Sequence, residues 1–369
     1  MAKKLSKLQS AQQEAEEKVV ITNNKIEELG YYSSELYASL RIMQWVFDHI
    51  RNVPDEDRIK FNQLKKIRLD WKNQADNIAN EYKIAKVKVA GKGAAGVGAG
   101  VAVAALGPTA AMGIATTFGV ASTGTAISAL SGAAAANAAL AWLGGGALAA
   151  GGGGMAAGHV FLTLAGPVGW AIAGVSIIAS SIVLIKTKKE KDRLEIIFTL
   201  ICDRDIKSYE LAIVELDERI KRIIDESKEI SDAIDEIDTF GTDYHAMTEE
   251  QQYKLGAFVN LMESSTMLLV NPILGLQPKY SEQDFQQLCD SDNDKFKSYF
   301  EKYKNMIIYL ANLLYKIKLD DNDDKLLIES LRKNKEFLSS VNMSKDEFDI
   351  QCFQRVKSAL NYQYAANQV

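Results

Sequence analysis

An all-α fold is predicted by three features of the sequence. The chain of 369 residues holds only five prolines, and Ala, Leu, Ile, Glu and Lys, which enter helices at low cost, are abundant. Apolar residues recur at spacings of three and four through both charged portions, whereas runs of period-two alternation are few. Charge is distributed unevenly: 21 of the 25 glycines lie between residues 91 and 174, and no Asp, Glu, Lys or Arg occurs from 93 to 185. For a chain that is 25% charged, such a gap divides the protein into charged arm, uncharged middle and charged arm. The predicted architecture is an elongated helical bundle with long coiled-coil helices and a Gly/Ala-rich hydrophobic helical-hairpin head. Its units are an N-terminal helical arm (1–92), the uncharged region (93–185), a long coiled-coil helix (186–240) and a C-terminal helical region (241–369).

In the first arm, Leu8, Ala11, Ala15, Val19, Thr22, Ile26 and Leu29 share one helical face, and Gly30 is a plausible stop. Leu36, Leu40, Met43, Phe47 and Ile50 repeat the pattern in a second helix. "VPDEDR" at 53–58 then reads as a helix start, with Pro54 early and acids facing the positive end of the helix dipole. This third helix is expected to run towards Lys92.

Beyond the uncharged zone, Ile206, Tyr209, Ile213, Leu216, Ile220, Ile223, Ser227, Ile230, Ile234 and Ile237 alternate steps of three and four. They form a heptad seam that can pair within one chain or between chains. Nothing from 186 to 238 breaks the helix, which at 1.5 Å per residue extends about 80 Å. From 241 onward about five shorter helices are expected, with capping-box spacings at Thr248/Gln251, Ser281/Asp284 and Ser344/Glu347.

Composition excludes several function classes. A net charge of -5 does not suit a partner whose many phosphates must be neutralised, so no nucleic-acid binding is expected. The N-terminus meets acids and glutamines where a secretory signal would carry its apolar core, which implies synthesis in the cytoplasm without a Sec signal. Cys202, Cys289 and Cys352 lack the spacing of a disulfide framework or zinc site. "GKGAAG" at 91–96 matches a dinucleotide-binding pattern, but the next acid is Glu190, so no ribose partner follows. Asp290, Asp292, Asp294 and Glu301 imitate a calcium loop, yet Lys295 stands where its turn needs glycine, leaving an acidic helix start as the better account. "DDNDDK" at 320–325 reads as a solvated turn. No cofactor, metal or catalytic constellation is expected.

The uncharged zone is too apolar for a linker. A spanning helix needs roughly 20 apolar residues, and 167–185 supplies them with Trp170 near one end; 94–115, 117–143 and 147–165 are weaker candidates. Lysines bracket the zone: Lys83, Lys86, Lys88 and Lys92 before it, and Lys186, Lys188, Lys189 and Lys191 after it. Placed among headgroups on the side of synthesis, they require an even number of crossings. Trp142, Gly154, Gly158, Trp170, Val175 and Ile185 are expected to enter the bilayer, with seven glycines at 144–154 forming a corner between membrane-competent helices. Small residues four apart, Gly154 with Gly158 among them, permit close helix approach in lipid.

A long uncharged hairpin zone between helices with coiled-coil periodicity resembles the α-helical pore-forming toxins of the cytolysin A and haemolysin BL type, and more distantly the pore-forming domain of colicins. The resemblance is architectural and covers roughly residues 1–240. It implies a helical tail and a hydrophobic head that is hidden in the soluble form and inserts on oligomerisation. The zone is longer than the apolar head of cytolysin A, and 241–369 has no counterpart in that family. Residues 122–158 also look like a segment of bacterial membrane-associated proteins, which implies a bacterial origin. The expected partners are a lipid membrane and further copies of the chain or a related helical protein. The alternatives are a constitutively membrane-anchored scaffold and a soluble helical protein that keeps the hairpin hidden.

Overall fold

A computed structural model of the chain describes residues 6–90, 108–118, 187–277, 279–280, 284–285, 294–341 and 343–366. About 84% of this part is helical and none is strand, so the fold is all-α. Extended pairing among the described residues is limited to a single bridge between Arg51 and Asp243.

Helix α1 (Lys7–Asp48) starts at a reciprocal cap: the Gln9 amide donates to Ser6 Oγ, and the Ser6 amide donates to Gln9 Oε1. It then runs without interruption through Gly30, where the sequence suggests a stop. A glycine inside a helix costs about 1 kcal/mol relative to alanine, a cost the apolar face offsets because it continues across the site: Ile26, Leu29, Ser33, Leu36, Leu40 and Met43 are all buried. The two helices expected over 8–50 are therefore one.

Helix α2 (Asp55–Ala90) opens with Asp55, Glu56 and Asp57 in its first turn, as "VPDEDR" predicts, and returns antiparallel to α1. Gln44 meets Arg68 (2.6 Å) and Asp48 meets Lys65 (3.3 Å), so successive residues of α2 pair with earlier ones of α1. Helix α3 (Pro108–Phe118) is the described part of the uncharged zone. The 50-residue α4 (Lys188–Ile237) runs parallel to α1, since Lys18 pairs with Glu210 and Lys25 with Asp217, each at 2.8 Å. Helix α5 (Glu249–Val270), opened by the expected Thr248/Gln251 capping box, turns back along α4, with Lys254 pairing with Glu236 at 2.6 Å. Helices α6 (Asp294–Leu314), α7 (Asp321–Lys333), α8 (Lys335–Ser340) and α9 (Ile350–Ala366) follow, and single 3-10 turns lie at Tyr244–Ala246 and Leu274–Leu276.

Two hydrophobic cores are strung along α4. The first gathers α1 from Val19 onward, α2, α3, α5 and the later part of α4. The second gathers the first turns of α1, the stretch of α4 from Leu194 to Cys202, and α6 to α9. Arginines of α4 fasten both. Arg204 Nη1 donates to the carbonyls of Leu313 (2.8 Å) and Tyr315 (2.7 Å) at the end of α6, and Arg219 Nη1 to those of Leu268 and Asn271 (both 2.7 Å) at the end of α5. Each guanidinium supplies donors that the last helical turn lacks.

Two expectations in the C-terminal region need correction. Asp320 is the N-cap of α7 rather than part of a solvated turn. Asp323 and Asp324 are buried because each has a cation: Arg193 holds Asp323 with two bonds of 2.6 Å, and Lys357 holds Asp324 at 2.6 Å. Ser344 and Glu347 do exchange hydrogen bonds, but they close a turn. Helix α9 begins only at Ile350, where the Asp349 carboxylate accepts from the Gln351 amide.

Candidate functional site

The site that bears on function is the seat of α3, where part of the uncharged zone is folded between the charged arms. From Ala110 to Thr117 every residue of α3 is buried, which is the pattern of a helix surrounded on all faces. Its seat is made by α1, α2 and α5.

Glycines set the approach to α1. A Cβ placed on Gly30 would lie 1.8 Å from the carbonyl oxygen of Thr109, and one on Gly113 would lie 1.9 Å from that of Ile26. The backbones of α1 and α3 therefore touch, and no other residue fits at either position. Around this crossing Ile114 and Ala115 are completely buried.

Hydroxyls satisfy one another at the far side of the seat. Trp71 Nε1 donates to Thr116 Oγ1 (3.2 Å), which donates to Ser33 Oγ (3.2 Å). Thr117 bonds within α3, donating to the Gly113 carbonyl at 2.7 Å. The Thr117 carbonyl accepts from the Ile273 amide (2.8 Å) and Gln277 Nε2 (3.2 Å), so the connection after α5 closes over the end of α3. That connection is itself anchored on α4, where the Gly275 amide donates to Glu215 Oε2 at 2.9 Å.

Beside the seat lies Arg68, 2% exposed. Its guanidinium donates to Thr266 Oγ1 (2.9 Å) and Gln44 Oε1 (2.6 Å), both neutral acceptors. Burial lowers its pKa to about 10, against the smaller raising effects of Tyr37 and Asp48. The cation joins α1, α2 and α5 where α3 sits, so Thr266 and Gln44 would be left as buried polar groups if it were removed.

Sequence reasoning did not find this site. The legible signal is a seam on α2: Phe61, Leu64, Arg68, Trp71, Ala75 and Ile78, all buried, follow steps of three and four with an arginine in their midst. An ionisable residue in an apolar register marks a special environment.

The sequence-predicted residues fall in three groups. Of the α4 seam, Ile206, Tyr209, Leu216, Ile220, Ile223, Ile230 and Ile237 are buried against this chain's own helices, whereas Ile213 and Ile234 are half-buried and Ala212 and Ala233 take the inner positions beside them. Lys83, Lys86 and Lys88 lie on the last turns of α2, and Lys188, Lys189 and Lys191 on the first turn of α4. Lys92, Lys186, Trp142, Gly154, Gly158, Trp170, Val175 and Ile185 lie outside the described residues.

Among the described residues, one stretch, Glu249–Leu276, is long and apolar enough to cross a membrane by length and composition. It contains α5, whose Leu255, Val259, Met262 and Leu269 belong to the first core, and a core helix accounts for its apolarity. No group of three or more His, Cys, Asp or Glu among the described residues is placed to hold a metal ion. Comparison with protein-family models, curated proteins and solved structures finds no match.

Proposed function

We propose that the protein inserts its uncharged zone into a lipid bilayer and permeabilises it, assembling through its helical arms with further copies or with a related helical chain. It is made in the cytoplasm and meets the membrane from a folded, water-compatible form. The observation that carries this reading is the burial of α3: a charge-free helix of the zone is kept from water inside the protein, without lipid.

The chemistry of α3 suits both settings. Ala, Met and Ile exchange a protein interior for hydrocarbon at little cost, because both are apolar. Thr117 already satisfies its hydroxyl on its own helix, as a polar group in lipid must. Eleven residues at 1.5 Å each reach about 16 Å, roughly half the hydrocarbon thickness, so a crossing would take in neighbouring residues of the zone.

The Ser33 and Thr116 hydroxyls are 3.2 Å apart, so the pair Ser33→Cys/Thr116→Cys can lock α3 to α1. The parent protein is expected to release dye from liposomes, the oxidised lock to be inert, and reductant to restore release. Release by the oxidised lock would remove α3 from the mechanism, and no release by the parent would overturn the proposal. A second reading, a soluble helical protein acting by contact alone, is favoured by the same burial and predicts no leakage in either redox state.

A further inference from the structure

The strap that follows α5 belongs to both cores. Its Ile273 and Leu276 are buried in the first core, whereas Tyr280, a few residues on, is buried in the second with its ring 5.9 Å from those of Phe285 and Tyr315. Two of its anchors lie on α4: Arg219 holds the Asn271 carbonyl at 2.7 Å, and Glu215 holds the Gly275 amide at 2.9 Å. The strap lies so close to α4 there that a Cβ on Gly275 would come within 2.8 Å of the Ala212 nitrogen.

The third anchor is Asn312, in the last turn of α6 and 6% exposed. Its Oδ1 accepts from the amides of Lys279 (2.9 Å) and Tyr280 (3.1 Å), and its Nδ2 donates to the carbonyls of Tyr280 (2.8 Å) and Ile308 (2.9 Å). A carboxamide has two N–H donors and an oxygen with two lone pairs, so this side chain spends its whole capacity, most of it on the strap backbone. A buried amide is tolerated where all its groups are bonded, and here the strap is what bonds it.

At its other end the strap caps α3. The last carbonyls of a helix have no partner within it, and that of Thr117 accepts from the Ile273 amide (2.8 Å) and Gln277 Nε2 (3.2 Å). Gln277 Nε2 also donates to the Ile273 carbonyl at 3.2 Å, so the two capping residues hold each other. The cap of α3 and the clasp of Asn312 are therefore carried by one short piece of backbone.

We infer that the strap is a latch through which the C-terminal helices α6–α9 govern the retention of α3. While Asn312 grips Lys279 and Tyr280, the strap is drawn against α4 and its donors face Thr117. Displacement of α6 withdraws the grip, slackens the strap and leaves the end of α3 uncapped. Region 241–369 thereby acquires a role as a control unit for a segment stored elsewhere in the fold. Retention of α3 is a property of the protein in water, so the inference does not rest on membrane insertion, whose readout is leakage.

Native-state hydrogen exchange of the full chain in low urea tests the latch. In the parent protein, the amides of 110–118, of Ile273 and Leu276, and of Lys279 and Tyr280 are expected to open as one unit with a common dependence on urea. Asn312→Ala, which removes a side chain bonded to the strap and to Ile308, is expected to speed exchange across 110–118 about tenfold, as the loss of bonds to buried backbone predicts. In Gly275→Ala, whose Cβ already forces the strap from α4, the added effect of Asn312→Ala is expected to shrink to about twofold or less, since both act through one element. Separate urea dependences for 110–118 and 279–280, unchanged exchange across 110–118 in Asn312→Ala, or full additivity with Gly275→Ala overturns the inference. Should Asn312→Ala fail to fold, the exchange of the parent decides alone.

Discussion

Replacing Gly30 by alanine adds one methyl group, and its effect follows from where that methyl would stand. The new Cβ would lie 1.8 Å from the Thr109 carbonyl oxygen and 2.7 Å from the Gly113 nitrogen. Both neighbours are backbone, so no rotamer change relieves the overlap, and α3 must move outward by well over an ångström or leave its seat. Helix propensity favours alanine by about 1 kcal/mol, whereas overpacking a close contact costs typically 1–3 kcal/mol and occasionally more. With backbone on both sides the upper end applies, for a net loss of about 2 kcal/mol. Gly256, inside α5, is the matching control, because a Cβ there meets nothing within 4 Å. The same substitution at Gly256 should therefore stabilise by up to about 1 kcal/mol. Thermal melts followed by circular dichroism should show Gly30→Ala lower by about 3 °C and Gly256→Ala higher by about 1 °C. Equal stability of Gly30→Ala and the parent would refute the backbone contact between α1 and α3 and, with it, the seat.

Arg219→Met keeps the apolar stem but removes the two bonds to the carbonyls ending α5. It should cost about 1–3 kcal/mol in urea unfolding, and no change would mean that water caps the helix equally well. Arg193 beside Asp323 holds that carboxyl below its usual range, a larger effect than the opposing burial. A folded-state pKa below the unfolded one gives stability that is present above the ordinary carboxylate pKa and is lost as pH falls through the folded value. Asp323→Asn should therefore melt lower than the parent at neutral pH, and the gap should close in acid; a gap constant from pH 7 to pH 3 would contradict the pairing. Burial pushes the Cys202 thiol up to about 12, so peptide mapping should find Cys202 unalkylated at pH 8 until the protein is unfolded; labelling in the native state would place it at the surface.

The helical faces were legible because burial follows periodicity. The apolar positions predicted on helical faces between Leu8 and Ile50 are all buried, and the acids of "VPDEDR" do open α2. What local reading missed depended on contacts from elsewhere in the chain. Gly30 looks like a stop until α3 supplies the helix that crosses it, and nothing near Gly30 in sequence announces that neighbour. Asp323 and Asp324 look solvated until Arg193 and Lys357, distant in sequence, arrive beside them. The half-burial of Ile213 has a local cause: Gly275, in the connection after α5, sits so close to Ala212 that a Cβ on it would lie 2.8 Å from the Ala212 nitrogen, which makes Ala212 the inner position. Burial of α3 itself was illegible, since Gly/Ala-rich apolar sequence reads alike whether protein or lipid covers it.

The directions of α1, α2 and α4 have a consequence for how change in one region would spread. Helices α1 and α4 are joined by parallel ion pairs, Lys18 with Glu210 and Lys25 with Asp217, and α3, which lies between α2 and α4 in the chain, takes part in neither. Extracting α3 would give up the glycine-lined crossing, the Trp71–Thr116–Ser33 hydrogen bonds, the two bonds to the Thr117 carbonyl and the packing of α3 in the first core, and would leave the ion pairs between α1 and α4 in place. In the proposed insertion, the paired α1 and α4 serve as a rigid handle on the released segment.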